Sequence, residues 1–493
     1  MSLNQYTLKK DYFSKENITN NIFSFSPSDY REIKLNESNK KLKEYIKNYK
    51  TGYEIGSDQY VNKSKIRFLK TNNISNSILL DDSRIEYCIP NNKAVIPKNE
   101  SILLVKDGGT GGLGEVCLYK TNKDYKDYIS SGIIKINIED FELRYYILGI
   151  LKSNHFKEFI DNKTSGGSTI RHSKLISLDY NIPIPENKEI YKIISLYTQN
   201  LVDKEIKIKE KNNEINKVIK EELEKHSHPH LNTPYSNEIL ENNFRFDSGL
   251  YSKEYKSIQE SITSYDSGYF DLLDEYNSKR GPNLAESVIG LSIYKEEKKE
   301  NFYRLITNVE FTEDRTLSSF RYLGNKTKLP LIPKNSIMLS ADGSVGRCIY
   351  VDDLSKTITN YHPWILTPKK NETPIYQNVY TAMFLGYLRT VGFYEKIQDK
   401  SNGGGIKAPH LQNWIKIPKF PESIQKDIAI KYYNKVEKNV DLSIENYLEK
   451  EKERNSRLGI LQLNMEVFEL KDKIEELVSK IVYNEEINIS DYI

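Results

Sequence analysis

The sequence predicts an α+β chain built twice over: a mixed globule, a long charged helix, a second mixed globule and a second helical stretch. Three observations predict it. Short β-branched runs surround a helix-like segment in each half. Two strings recur in the same order in both halves. Each half ends in a charged segment with apolar residues at helical spacing.

The recurring strings carry the argument. SILLVKDGGTGGLGEVCLY around Ser101 is answered by SIMLSADGSVGRCIY around Ser336. TSGGSTIRHSKLISLDYNIPIP, from Thr164 to Pro185, is answered by SNGGGIKAPHLQNWIKIPKFP, from Ser401 to Pro421. The offsets from Asp107 to Asp342, Ile170 to Ile406 and Pro185 to Pro421 agree to within one residue. Such two-fold repetition suits a partner that is itself bipartite, and duplex DNA with two half-sites is one.

Length and composition set bounds. At 493 residues the chain exceeds one ordinary core and fits two domains with connecting elements. Hydrophobic residues at 38% and charged residues at 29% let each half bury a core under a heavily solvated surface. The net charge of +3 neither demands nor excludes nucleic acid, because binding follows local basic patches. The three cysteines, Cys88, Cys117 and Cys348, show neither zinc spacing nor a disulfide framework. Cys117 and Cys348 fall at matching places, as small hydrophobes of separate cores. MSLNQYTLKKDYF has no signal-peptide core, and no run approaches the ~20 apolar residues of a membrane span, so a cytoplasmic location is expected.

In the first globule, strands are expected at Lys65 to Leu69, Ile102 to Val105, Val116 to Tyr119 and Ile133 to Ile138, with a helix from about Glu142 to Phe159. The second globule repeats the order, with strands at Tyr303 to Ile306, Ile337 to Leu339, Arg347 to Val351 and Trp364 to Leu366 and a helix over Tyr380 to Lys396. After the first globule, apolar positions step through Ile190, Ile194, Tyr197, Leu201, Ile208 and Ile215, a coiled-coil seam with gaps. The second seam opens with Ala429, Tyr432, Val436, Val440, Ile444 and Leu448. It continues through Leu463, Val467, Leu470, Ile474, Leu477 and Ile481 in alternating steps of four and three. A helix of ~40 residues spans roughly 60 Å, enough for a spacer and a surface for other helical proteins. HSHPHLNTPYS, with His226, His228 and His230, has two prolines and no further ligands nearby, and reads as a linker rather than a metal site.

Each candidate chemistry has a competing reading. DGGTGGLG, from Asp107 to Gly114, looks like a phosphate loop, but a strand follows it rather than a helix, and no Gly-Lys-Ser/Thr is present. Asp-Gly between apolar runs is a hairpin turn. The second string pairs a glycine loop with a basic residue and a histidine. TSGGSTIRH, with Ser165, Gly166, Arg171 and His172, corresponds to KSNGGGIKAPH, with Asn402, Gly403, Lys407 and His410. Backbone amides and a cation can reach phosphate oxygens there, and a loop that docks the domain on its helix fits equally. Lys63, Lys65 and Arg67, Lys279 and Arg280, and Arg321, Lys326 and Lys328 cluster near strand ends. Such groups grip guanine edges or phosphates, or are solvated surface. No methyltransferase Asn/Asp-Pro-Pro-Tyr/Phe, hydrolase, zincin, Walker or kinase signature occurs, which favours a binding protein.

With these residues in view, the chain resembles the specificity (S) subunit of type I restriction-modification systems. The resemblance covers essentially the whole chain. It rests on the SILLVKDG and SIMLSADG hairpins, the SGGSTIRHSKL and NGGGIKAPHL loops, the NIPIP and KIPKFP strands, PESIQKDIA and FRFDSGLYSKEY. PENKEIYKI lacks the glutamine of PESIQKDIA, and the tail after Arg457 has no counterpart in the first half.

The resemblance implies two α/β target recognition domains with pseudo-two-fold symmetry, separated by long antiparallel coiled-coil helices. The expected ranges are 1–185 for the first domain, 186–228 for the first spacer helix, 229–420 for the second domain, and 421–493 for the second spacer and tail. It also implies a non-catalytic subunit that reads a bipartite DNA target. Two methyltransferase (M) subunits would methylate adenine, and endonuclease (R) subunits would cleave. S-adenosylmethionine, Mg and ATP would sit on those partners and none on this chain. The expected DNA contacts are Lys65, Arg67, Ser165, Gly166, Arg171, Lys279, Arg280, Arg321, Asn402, Gly403, Lys407 and His410. Leu201, Ile208, Ile215, Val436, Val440 and Ile444 are expected on the helices that meet partners. The alternatives are a recognition subunit of another restriction-methyltransferase system and a coiled-coil scaffold with no DNA role.

Overall fold

The computed structural model describes residues 40–109, 112–164, 171–228, 248–296, 298–398 and 404–493. These form two compact units. The first comprises the described residues of Met1–Glu205, Asn439–Lys452 and Val467–Ile493; the second comprises those of Ile206–Lys438 and Glu453–Glu466.

The strands of the first unit are β1 (Asn48–Thr51), β2 (Tyr60–Val61), β3 (Ile66–Leu69), β4 (Glu86–Cys88), β5 (Ile102–Val105), β6 (Asp107–Gly108), β7 (Val116–Leu118), β8 (Lys126–Ile129), β9 (Ile133–Asn137) and β10 (Arg171–His172). The hairpin expected around Asp107 is β5 against β7, with Leu103 opposite Cys117. β9 and β1 extend it into an antiparallel sheet of order β1-β9-β5-β7. A second sheet has the order β2-β4-β3-β8 and contains one parallel pair, β3 with β8. Leu69 and Ile129 from the second sheet pack with Leu103, Val105, Cys117 and Ile133 from the first. That shared apolar cluster buries Leu103 and Val105, one face of β5; Ile102 and Leu104, on the other face, are buried as well.

The single helix expected over Glu142 to Phe159 is two helices, α1 (Phe141–Leu151) and α2 (Asn154–Lys163). Ser153 causes the break. Its Oγ accepts the Phe156 N–H at 3.4 Å and caps α2, as Asp140 caps α1 by accepting the Leu143 N–H at 2.6 Å. The chain then enters α3 (Lys188–His226), one unbroken helix.

In the second unit the strands are β11 (Tyr269–Asp271), β12 (Tyr276–Arg280), β13 (Ser292–Lys295), β14 (Tyr303–Leu305), β15 (Arg321–Asn325), β16 (Ser336–Ser340), β17 (Cys348–Val351), β18 (Thr357–Ile358), β19 (Pro363–Pro368) and β20 (Lys416–Pro418). β11 pairs with β20, and the other eight form sheets of order β12-β19-β16-β17 and β13-β15-β14-β18, with β14 and β18 parallel. Strand for strand, this is the order of the first unit. Besides three four-residue helical turns, the helices up to Tyr432 are α4 (Lys253–Thr263), α5 (Ile375–Thr390), α6 (Ala408–Asn413) and α7 (Glu422–Tyr432). α5 starts five residues earlier than its apolar pattern suggested, straight after Pro374, and stops before Gly392, whose φ of +75° ends the helix.

Cys117 and Cys348 are both buried, but not at matching places. Cys117 lies opposite Leu103, whereas Cys348 lies opposite Leu339, the counterpart of Leu104. The longer first hairpin shifts the register by one residue, which puts the two thiols on opposite sheet faces.

In α3 every expected seam residue is buried: Ile190, Ile194, Tyr197, Leu201, Ile208 and Ile215. Lys204 fills a gap in the seam; it is 1% exposed and lies 3.5 Å from Glu451. The second seam needs correction. α7 ends at Tyr432, and helix resumes only at α8 (Tyr447–Arg457), followed by α9 (Ile460–Tyr483). Val436, Val440 and Ile444 therefore sit on no helix, and Val440 is 76% exposed. The string NKVEKNVDLS explains this, because short polar side chains compete with helical backbone bonds. Asn446 Oδ1 accepts the Ser443 N–H at 2.8 Å, Asn434 donates to the Arg457 carbonyl at 2.6 Å, and Asp441 is left-handed at φ +55°. α9 keeps its seam through Leu463, Val467, Leu470, Ile474 and Leu477, all buried, while Ile481 is half-buried. Among the described residues, no helix is long and apolar enough to cross a membrane.

Candidate functional site

In both units the hairpin turn meets the glycine-loop string. In the first, β6 pairs with β10, so Gly108 faces Arg171 and Asp107 faces His172. The Asp107 carboxylate lies 2.9 Å from His172 Nδ1 and also accepts from Lys106. Arg171 is tied to Asp161 on α2. In the second unit Asp342 bridges Gly405, and the Ile406 N–H donates to the Ala341 carbonyl at 2.9 Å. Strands distant in sequence thus bring the two repeated strings to one corner, twice.

The corners are closed differently. Arg280, on β12, donates to Asp342 at 3.2 Å and to the carbonyls of Tyr361 and Ile406 at 3.2 and 3.1 Å, and also to the His362 carbonyl. Its guanidinium lies 4.2 Å from the centre of the Trp364 ring, whose Nε1 donates to the same Ile406 carbonyl at 3.1 Å. His362 Nδ1 lies 3.3 Å from Asp342. The register-equivalent pair in the first unit is Thr51 opposite Ile134, where the second has Arg280 opposite Trp364.

The other predicted contacts are scattered. Arg67 is buried and forks onto Asp127 at 2.6 and 2.7 Å. Burial works against its charge, but Asp127 outweighs that and holds its pKa above the ordinary arginine value. Tyr119 donates to the same carboxylate at 2.8 Å. Arg321 pairs with Glu310 at 2.8 Å and donates to Thr307 Oγ1 at 3.0 Å. Lys65 is exposed, 5.8 Å from the centre of the Tyr125 ring. Lys407 is exposed, while His410 is buried and its Nδ1 accepts the Lys407 N–H at 2.7 Å. Ser165, Gly166, Asn402 and Gly403 lie outside the described residues, as does His230. His226 and His228 flank Asp266 at 3.2 and 3.3 Å, and no metal-holding group occurs among the described residues.

Lys279 has a counterpart that the sequence did not single out. Pairing with β9 and β19 makes Lys50 and Lys279 register-equivalent, and both are exposed. Each stands two residues before a glycine pressed on the next strand connection. A Cβ on Gly52 or Gly281 would lie 2.1 Å from the carbonyl oxygen of Ser130 or Asn360, so neither site accepts another residue without backbone movement. Asp107, Asp342, His362 and Trp364 were likewise missed as corner residues, although the Asp-Gly repeat pointed at the turn that holds the aspartates.

Each unit also fastens a helix to its sheet through one carboxylate. Glu115 binds Lys152 at 3.2 Å and Lys157 at 2.7 Å; Glu313 binds Arg389 at 2.6 Å and Arg347 at 2.9 Å. Burial alone would raise both carboxyl pKa values, but the paired cations hold them below the usual range.

No protein-family model and no curated protein matches the chain. Among solved structures, it is similar to a type I restriction-modification system S subunit from M. genitalium, at 16% identity and a TM-score of 0.38, covering 91% of this chain and 96% of that one. It is similar to the HsdS subunit from Thermoanaerobacter tengcongensis at 13% identity and a TM-score of 0.26, covering 92% and 98%. A chain from a type I R-M system described for complex assembly and conformational transition aligns at 12% identity and a TM-score of 0.28, covering 91% and 98%.

Proposed function

We propose that the chain is a non-catalytic reader of duplex DNA, the specificity subunit of a type I restriction-modification complex, in which each unit reads one half of a split site. One observation carries the reading. The same pair of four-stranded sheets occurs twice in the same strand order, and each copy joins hairpin turn to glycine loop, while the side chains around that corner differ. A repeated scaffold with unlike surfaces is what two unlike half-sites require. In this reading residues 1–185 and 229–420 are the recognition domains, and 186–228 and 421–493 are the spacer and docking helices. M subunits, supplying adenine methylation with S-adenosylmethionine, dock on those helices, and R subunits with ATP and Mg add cleavage.

The test is single-molecule methylome mapping in a host that expresses the chain with its M partner. A bipartite methylated motif is expected. Exchange of residues 236–420 for another domain should alter one half of it. Both halves altered, or neither, overturns the assignment.

A further inference from the structure

The rim of the first sheet carries positive charge that no carboxylate among the described residues answers. Lys50 on β1 lies directly opposite Lys135 on β9, and Lys135 lies opposite Leu103 on β5. The half-buried Lys135 ammonium reaches the Ile96 carbonyl at 3.1 Å, on the turn that also carries Lys98. Lys50 and Lys98 are exposed. Among the described residues, none of the three has a carboxylate partner. Burial, then the charges of Lys98 and Lys50, hold the Lys135 pKa below the usual lysine value.

Like charges directly opposite across a strand pair destabilise a sheet, by up to about 1 kcal/mol. The fold itself therefore gives no reason to keep the lysines together. The second unit does not keep them. Its register-equivalent row runs Lys279, Ile365, Met338 and Ile349, against Lys50, Lys135, Leu103 and Cys117 in the first. Lys334, on the turn that matches the one carrying Lys98, is paired with Asp353.

We infer that Lys50, Lys98 and Lys135 form a phosphodiester-binding cluster that the second unit lacks, so that the first unit holds its half of the duplex more strongly through backbone charge. This rests on the DNA-reading function proposed above. The lysines contribute by releasing counterions from the duplex, a contribution that salt measures directly.

The experiment titrates a fluorescent duplex of random sequence with the full chain at a series of salt concentrations. Substituting K50Q, K98Q and K135Q together should flatten the log–log salt dependence by about two to three, at ~0.9 for each phosphate no longer neutralised. The triple arginine variant at the same positions should keep the original slope. A charge-matched control, K217Q with K220Q and K225Q on the solvent face of α3, should leave the slope unchanged. Equal flattening in the control, or an unchanged slope in the glutamine variant while the wild type still binds, overturns the cluster and leaves the DNA-reading function standing. A wild-type chain that shows no salt-dependent binding overturns both.

Discussion

The two units lay the same strands in the same order, yet they anchor their charged groups at different depths. In the first, the dominant ion pair is in the second sheet, where Arg67 and Asp127 are 7% and 0% exposed in their side chains. In the second, the arginine of the sheet pair Arg321–Glu310 is 31% exposed in its side chain, and Arg280 is bonded at the corner. The strand order is fixed by apolar positions the copies share in kind, such as Leu103 and Met338, or Leu104 and Leu339, all fully buried. Charged groups are left free to differ between copies, and their surfaces are therefore unlike.

The sharpest way to break this comparison is to remove the two sheet arginines. Arg67→Ala leaves Asp127 buried with only Tyr119 as a described donor, and should cost the first unit about 3–5 kcal/mol in urea unfolding. Arg321→Ala should cost about 1 kcal/mol, because the arginine side chain is the more exposed and Glu310, though buried, keeps the Thr307 N–H and hydroxyl as donors. Equal losses would show that depth does not separate them.

The corner offers the next contrast. Arg280→Ala removes the stacking on Trp364 and several charge-assisted bonds, and should cost about 2–4 kcal/mol. Thr51→Ala, at the equivalent register position, should stay within about 0.5 kcal/mol. If the two behaved alike, the corner would be held by the backbone bridge Asp342–Gly405 rather than by the arginine.

Acid titration compares the helix anchors. Glu115 and Glu313 both have pKa values lowered in the folded chain, so the stability they add is present above the ordinary glutamate value of about 4.3 and is lost as pH falls through their folded values. Glu115→Gln and Glu313→Gln should each flatten the loss of stability below about pH 4.5. A wild-type slope in either variant removes that carboxylate from the account. The effect per group is smaller than that of the buried arginines, because glutamine keeps an oxygen that accepts from the same cations.

Much of the scaffold was legible because its signals are local. Asp-Gly between apolar runs marks both hairpins, and steps of four and three mark α3 and α9. The corner was not legible in the same way. Lys50 and Lys279 share their spacing to Gly52 and Gly281, but two residues of spacing are a weak signal, and the equivalence becomes plain only through pairing with strands distant in sequence. Arg67 reads as a free cation at a strand end because the carboxylate that takes it, Asp127, lies 60 residues further on. The spacing also misled where two local signals conflicted. Val436 and Val440 keep a helical step, but the asparagines, aspartate and serine around them have their own backbone bonds to make.

That conflict supplies the smallest predicted effect. Were residues 433–446 a continuous helical seam, truncating Val440 would open a cavity and cost a sizeable fraction of the 2–5 kcal/mol seen for buried aliphatics. With Val440 76% exposed and outside any helix, Val440→Ala should change stability by no more than about 0.5 kcal/mol. Ile474→Ala, from the seam that does form in α9, should cost about 2–5 kcal/mol. The pair separates apolar periodicity that builds a helix from periodicity that only resembles one. A large loss at Val440 would mean that the segment joining α7 to α8 continues the helical seam and buries its valines in the chain itself.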